Sequence, residues 1–293
     1  MVRGGPQALK GIKMTSDAAP APNAGGAGKA GIPKLDISVA HQARMYDYLL
    51  GGKDNFAADR AAVGEWLKVN PKIVFSARAN RAFLGRAVRY LAREAGIRQF
   101  LDIGTGIPTA SNTHQVAQEI APESRVVYVD YDPIVLTHAR ALLTSHPSGT
   151  TDYIDADLRD TGTILSRAAE SLDYTKPVAV TLLAILHVIP DADDPHAIVA
   201  TLMAPLPPGS YLAVSHAGWD LRGPDTRKDE VRDLAQRMVH QQPAFRDREQ
   251  VARFFAGTEL VEPGLVRVEE WRPEPGAEDS GSSSLWCAVG RKR

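Results

Sequence analysis

The sequence predicts an α/β protein: a doubly wound, mostly parallel seven-stranded sheet with an antiparallel C-terminal hairpin, preceded by an N-terminal helical cap. Three observations predict it. From residue 97 onward, short apolar runs alternate with helix-patterned segments, the texture of successive βαβ units. The first such run, QFLDIG, leads into a glycine turn, GTG, that opens a helix. The last two strand-like runs, LVRVEEW and SLWCAVGRK, are separated only by a polar loop (residues 272–282), so they pair antiparallel.

The elements follow in order. Residues 1–34 are rich in Gly, Ala and Pro without a sustained apolar period, and read as a flexible leader. Residues 35–96 form the cap. There Ser38 is the expected N-cap of a helix carrying Val39, Met45, Tyr46 and Leu49, ended by Gly51-Gly52. A second helix is expected near residues 59–69, before Pro71. A third covers SARANRAFLGRAVRYLAREAG, with Phe83, Leu84, Ala87, Val88 and Leu91 at helical spacing and Gly96 as its stop. Its arginines Arg78, Arg81, Arg86, Arg89 and Arg93 fall mostly off that stripe and read as a solvated face.

Residues 97–293 make the sheet domain. After QFLDIG come the helix SNTHQVAQEIAP, the strand RVVYVD, the helix PIVLTHARALLTS and the strand TDYIDAD. A helix near residues 163–172 leads to PVAVTLLAIL, whose continuous apolar run suits the middle of a sheet covered on both faces. HAIVATLMAPL is helix and GSYLAVSHA the fifth strand. A helix is expected near residues 227–240, and Asp247 with Gln250 makes a capping box for RDREQVARFFAG.

Composition narrows the function. With 34 Lys+Arg against 35 Asp+Glu, the chain lacks a nucleic-acid footprint spread over its whole surface. The longest apolar run, VAVTLLAILHVI, is too short to span a bilayer and contains a histidine, so no membrane role is expected. One cysteine, Cys287, fits a reducing cytoplasm.

The chemistry is read at the carboxyl ends of the strands, where doubly wound sheets bind ligands. The first strand gives Asp102, then Gly104-Thr105-Gly106, glycines that let a ligand approach backbone amides closely. The second ends in Asp130, whose carboxylate can accept both hydroxyls of a ribose; the third ends in DADL, placing Asp157 where it can accept from an adenine amino group. A third glycine of a dinucleotide fingerprint is missing, since its position holds Thr109 after Pro108.

These features, together with ARMYDYLLGGKDNFAADR, ARANRAFLGRAVRYLAREAGIRQFLDIGTGIPT, VVYVDYDPIVLTHARALL and VARFFAGTELVEPGLV, resemble the actinobacterial S-adenosylmethionine-dependent methyltransferases long labelled only as a domain of unknown function. The resemblance covers roughly residues 37–291 and implies the class I, Rossmann-like methyltransferase fold with S-adenosyl-L-methionine as cofactor. It implies that Asp102, Gly104, Thr105 and Gly106 wall the methionine part, that Asp130 takes the ribose, and that Tyr131 lies beside the adenine with Asp157 and Leu158 at its edge. Asp132, before Pro133, reads as a helix cap ahead of a ligand contact.

His187, in LHVIPDADD, matches a turn common in small-molecule methyltransferases, as a general base or as a histidine held by backbone groups. Asp191, Asp193 and Asp194 lack a second ligand cluster, so no metal is expected. His216 and Trp219, after the fifth strand, are candidates for the acceptor pocket. YDYLLGGKDNF is not a P-loop: Asp54 stands where Ser or Thr would follow the lysine. It is expected to be a lid, with Tyr46, Asp54, Asn55 and Phe56 facing the ligands, or a plain helix cap and turn. The expectation is a cytoplasmic methyltransferase for a small-molecule acceptor, independent of nucleic acid and membrane. The competing expectation is a cofactor-binding module with little turnover.

Overall fold

The computed structural model describes Met1 and residues 36–293 except 110, 143, 222–227, 240–242 and 275–280. The expected leader, the ends of the helix expected at 227–240 and much of the loop at 272–282 therefore lie outside the described residues. Leu35–Arg293 form one compact unit. Its elements are α1 (Gln42–Leu49), α2 (Ala57–Val69), α3 (Ile73–Arg93), β1 (Gln99–Ile103), α4 (Thr113–Ile120), β2 (Arg125–Asp130), α5 (Pro133–Leu142) and β3 (Thr150–Asp155). They continue through α6 (Thr161–Ala168), β4 (Ala179–Leu183), α7 (Pro195–Met203), β5 (Tyr211–Ala217), α8 (Lys228–Val239), α9 (Arg248–Ala252), β6 (Thr258–Leu260), β7 (Val266–Arg267) and β8 (Leu285–Lys292).

The sheet runs β3-β2-β1-β4-β5-β8-β6, with β7 also paired to β8. β1 to β5 are mutually parallel; β8 is antiparallel to β5, β6 and β7. The strand order reverses between β1 and β4, which places the ligand crevice at their carboxyl ends. Strand residues alternate between two cores. Leu101, Ile103, Val127 and Val129 face α6 and α7, whereas Phe100, Val126 and Tyr128 face α3 and α4.

The hairpin expected at the edge is present but divided. LVRVEEW contributes only the two residues of β7, and the edge beyond β8 is filled by β6, a strand the sequence reading missed. Three residues with two exposed side chains carry almost no periodic signal. β4 also stops earlier than its apolar run, because Ala184 turns to φ 53°.

Ser38 does not cap α1. It bonds Asp36 through both its amide (2.9 Å) and its hydroxyl (2.5 Å), and the helix starts three residues later with His41 as N-cap. The reason is Asp59, fully buried, which accepts from His41 N–H (2.9 Å), Phe56 N–H (2.8 Å) and Arg44 Nε (3.0 Å) and so ties the starts of α1 and α2 together. The arginines of α3 divide as well. Arg78, Arg89 and Arg93 are exposed, but Arg86 donates to the carbonyls of Trp271 (2.8 Å) and Val268 (2.5 Å), and Arg81 to Asn112 Oδ1 (3.0 Å). These two are structural or site residues, not a solvated face.

The Gly-Gly-Lys-Asp-Asn turn wraps around the buried carboxylate of Asp47, which accepts from Asp54 N–H (2.9 Å) and Asn55 Nδ2 (2.8 Å). A Cβ on Gly52 would sit 1.9 Å from Asp47 Oδ1, so only glycine permits this wrap.

Candidate active site

A cavity of about 280 Å³ opens at the carboxyl ends of the central strands. Its floor is Asp130 and Tyr131 at the end of β2, Gly104–Gly106 after β1, Leu183, Ala184, Ile185, His187 and Val188 at the end of β4, Ala217 of β5 and Leu285 of β8. Its roof is α1, the end of α2 and the first three turns of α3. Seven of the residues named from the sequence line it: Asp102, Gly104, Thr105, Gly106, Asp130, Tyr131 and His187. Tyr46 joins them from the roof.

The turn after β1 is built for close approach. Gly104 has φ +75°, and a Cβ there would lie 2.6 Å from Ile185 Cγ1. Asp130 Oδ2 accepts from Gly106 N–H (2.9 Å) and Oδ1 from Asp132 N–H (3.1 Å). A carboxylate has about four acceptor sites, so two remain for a ligand. Burial raises the Asp130 pKa, and the two backbone bonds oppose that rise. Asp102 is committed to structure: its two oxygens accept from the hydroxyls of Thr113 and Thr181, each at 2.6 Å. Burial pushes its pKa up and those hydroxyls pull it down. Thr105 Oγ1 meets Tyr153 OH at 3.1 Å.

Asp132 caps α5 by accepting from Ile134 N–H (2.8 Å), as one sequence reading had it, and its other oxygen stands 2.7 Å from His41 Nδ1. Burial works against its ionisation, but the His41 contact and charge hold its carboxyl below the usual range. His41 Nδ1 also lies 3.3 Å from Ala43 N–H. The shorter contact, to a carboxylate, favours a proton on Nδ1. The pair joins the first turn of α1 to the exit of β2.

The other sequence candidates stand apart from the cavity. Asp157 is held by Arg159, which donates to it from its backbone (2.8 Å) and guanidinium (2.9 Å), and Leu158 packs in the core beneath the sheet. Asp54 and Asn55 serve Asp47, while Phe56 packs against Ile107, Ile134 and Val135 under the Arg44 guanidinium. Trp219 packs at a tilt of 45° against Phe245, and His216 is fully buried. None of these seven lines the cavity. Of the acids after β4, Asp191 pairs with Arg246, Asp193 with Arg159, and Asp194 caps α7.

Four residues that matter are not read as site residues in the sequence, where Arg81 reads as part of a solvated face. Asn80 Oδ1 accepts from Ser215 Oγ (2.6 Å) and its Nδ2 donates to Tyr46 OH (2.9 Å), whose hydroxyl donates to Ala77 O (3.1 Å). Ser215 Oγ in turn accepts from Ala184 N–H (2.9 Å), holding that left-handed residue beside the cavity. Ser76 and Asn80 fall on the stripe of Phe83, Leu84 and Ala87, and polar residues on an otherwise buried face were the available signal. Arg81 lines the cavity close to Asp102, and burial lowers its pKa against the pull of Tyr46 and Asp102. Asn70, at the C-cap of α2, lines it from the roof.

The fourth, Arg246, is buried behind His187. Its guanidinium donates to the carbonyls of Leu186 (3.0 Å) and Ile189 (3.0 Å), to Asp191 (2.6 Å) and to His216 Nε2 (2.9 Å). Ala244 N–H donates to His187 O at 2.7 Å, so the turn carrying His187 is clamped by backbone and guanidinium together. His216 is thereby the Nδ1–H tautomer, donating to Ala217 O (3.0 Å) while Nε2 accepts from Arg246.

Burial first, then the charges of His187 and Arg246, puts the His216 pKa well below its usual value; burial also lowers His114 and His196. All three take protons more readily when unfolded. The stability these groups contribute is therefore fully present above pH ~6.5 and falls as pH drops below it, by up to ~1.4 kcal/mol per pH unit for the fully buried His216 and by less for His114 and the more exposed His196. Urea midpoints between pH 7.5 and 5 are expected to fall, and less steeply in His216→Gln.

No helix among the described residues is long and apolar enough to cross a membrane. No curated protein matches the chain. Solved structures do, among them two that share 40% or more of its residues. A DUF574 family protein from Streptomyces avermitilis is 45% identical, with TM-score 0.82, over 88% of this chain and 99% of that one. A protein from Thermobifida fusca with a provisional methyltransferase label is 40% identical, with TM-score 0.80, over 89% of this chain and 98% of that one. The family model for S-adenosyl methyltransferases matches residues 29–293. That match takes in the whole sheet, the glycine turn and the helical roof, and the chain belongs to the S-adenosyl methyltransferase family.

Proposed function

We propose that the chain transfers the methyl group of S-adenosylmethionine to a small-molecule acceptor held under the helical roof. The observation that carries this is the enclosure of the strand ends by α1 and the start of α3, which leaves about 280 Å³ for ligands. The residues present suit the cofactor. The backbone at Gly104 leaves no room for a side chain, Asp130 keeps unused acceptor sites toward the cavity, and Arg81 supplies a partly desolvated cation.

In this reading Asp130 accepts from the ribose hydroxyls, Tyr131 flanks the adenine, and the amides of Gly104–Gly106 face the methionine part. Arg81 pairs with the amino acid's carboxylate. Contacts from Asp157 and Leu158 to the adenine edge would require the Asp157–Arg159 pair to open. The bound cofactor supplies an activated methyl group on a positively charged sulfur. What remains for the chain is to hold the acceptor in line, exclude water and, where needed, take a proton. His187, clamped at the floor after β4, is the group for that last step.

The test pairs S-adenosylhomocysteine (SAH) titration calorimetry with turnover. Protein and S-adenosylmethionine are incubated with the low-molecular-weight filtrate of an actinobacterial extract, or with its dialysed macromolecular fraction. SAH formation is expected with the filtrate. Formation only with the macromolecular fraction would overturn the small-molecule assignment.

A further inference from the structure

The cavity is electrically lopsided. Among the described residues, every Asp and Arg in its lining, namely Asp102, Asp130 and Arg81, belongs to β1, β2 or the third turn of α3. α3 then extends away from Arg81 toward its start at Ile73, about 12 Å along its axis at 1.5 Å per residue. Around that far end the lining is Met45, Leu49, Trp66, Ile73, Ala77 and Leu285, with no acid, lysine or arginine among the described residues.

The polar groups at this end are mostly spent on one another. Tyr46 OH is bonded to Asn80 and Ala77 O, Asn80 also to Ser215, and Ser76 Oγ accepts from Ser284 N–H at 3.1 Å. Asn70 differs. It is buried and lines the cavity, yet among the described residues its side-chain amide makes no hydrogen bond. A carboxamide left open toward a cavity offers one donor and one acceptor to whatever enters.

We infer, on the methyl-transfer reading above, that the acceptor is an uncharged, largely apolar molecule whose end remote from the methylated atom carries one hydrogen-bonding group read by Asn70. A charged group there would lose its water without meeting a counter-charge, and would be rejected for that reason. An apolar body gains by leaving water for Trp66, Leu49 and Ile73.

A matched pair of fluorescent probes tests this. N-phenyl-1-naphthylamine is uncharged, and 8-anilinonaphthalene-1-sulfonate is the same skeleton with a sulfonate. With the full chain saturated in SAH, the uncharged probe is expected to bind once per chain, at least ten-fold more tightly than the sulfonate. Ile73→Lys, at a half-buried position, should bring the two within three-fold or reverse them. Asn70→Ala should weaken the uncharged probe three- to ten-fold. SAH titration of each variant reports that it is folded.

Equal or tighter binding of the sulfonate by the unaltered chain would overturn the inference, as would a preference that Ile73→Lys leaves intact. Failure to bind SAH would defeat the methyl-transfer reading itself. SAH binding without probe binding defeats only the acceptor assignment.

Discussion

Asp130→Ala is expected to weaken SAH binding by at least about 100-fold, measured by titration calorimetry. Hydrogen bonds to a charged group contribute about 1.5–3 kcal/mol each, and two ribose hydroxyls would share this carboxylate. Every 1.4 kcal/mol is a factor of ten, so the loss of one bond alone exceeds ten-fold. The substitution also strips the partners from Gly106 N–H and Asp132 N–H, loosening both turns that border the ligand. Asp130→Asn, which keeps one acceptor oxygen, should fall between. A change smaller than three-fold in Asp130→Ala would remove Asp130 from the cofactor site.

The second large effect is on stability. Arg246→Met is expected to lower the free energy of unfolding by about 3–5 kcal/mol, read from urea denaturation at pH 7.5. The side chain is 2% exposed and satisfies two buried carbonyls, those of Leu186 and Ile189, besides His216 Nε2. The pair with Asp191 contributes less, because that carboxylate is 78% exposed and screened by water. Arg246→Lys should recover only part of the loss, since an ammonium lacks the planar fork that reaches both carbonyls and the imidazole. A loss below 1 kcal/mol would show that the turn bearing His187 is held by its backbone bonds alone.

Much of this was legible before any coordinates. The alternation of strands and helices, the glycine turn after Asp102 and the acid at Asp130 are local patterns, and each sits where the sequence placed it. What was not legible depends on contacts between distant segments. Arg246 reaches back about sixty residues to Leu186, and Asp59 reaches across from α2 to the start of α1. No spacing rule encodes such pairings. His216 and Trp219 follow a strand end as expected, but a strand's carboxyl end has two sides. His216 turns toward Arg246 and Phe254, on the side away from the cavity. Phe56 was expected on a lid facing the ligands; its partners in the satellite cluster with Ile107 are separated from it by fifty residues and more. β6 escaped because three residues are too few to show a period.

The contact between His41 and Asp132 carries a consequence for the order of events. Asp132 N–H bonds Asp130, Asp132 itself meets the first turn of α1, and α1 spans the opening as far as α3. On the proposed function, occupancy at Asp130 is expected to stiffen the roof through these contacts, and such linkage would run both ways. A chain loaded with cofactor would then present a firmer doorway to the second ligand, and a second ligand under the roof would slow escape of the first. The expected order is sequential, with the nucleoside entering before the partner that receives its methyl group.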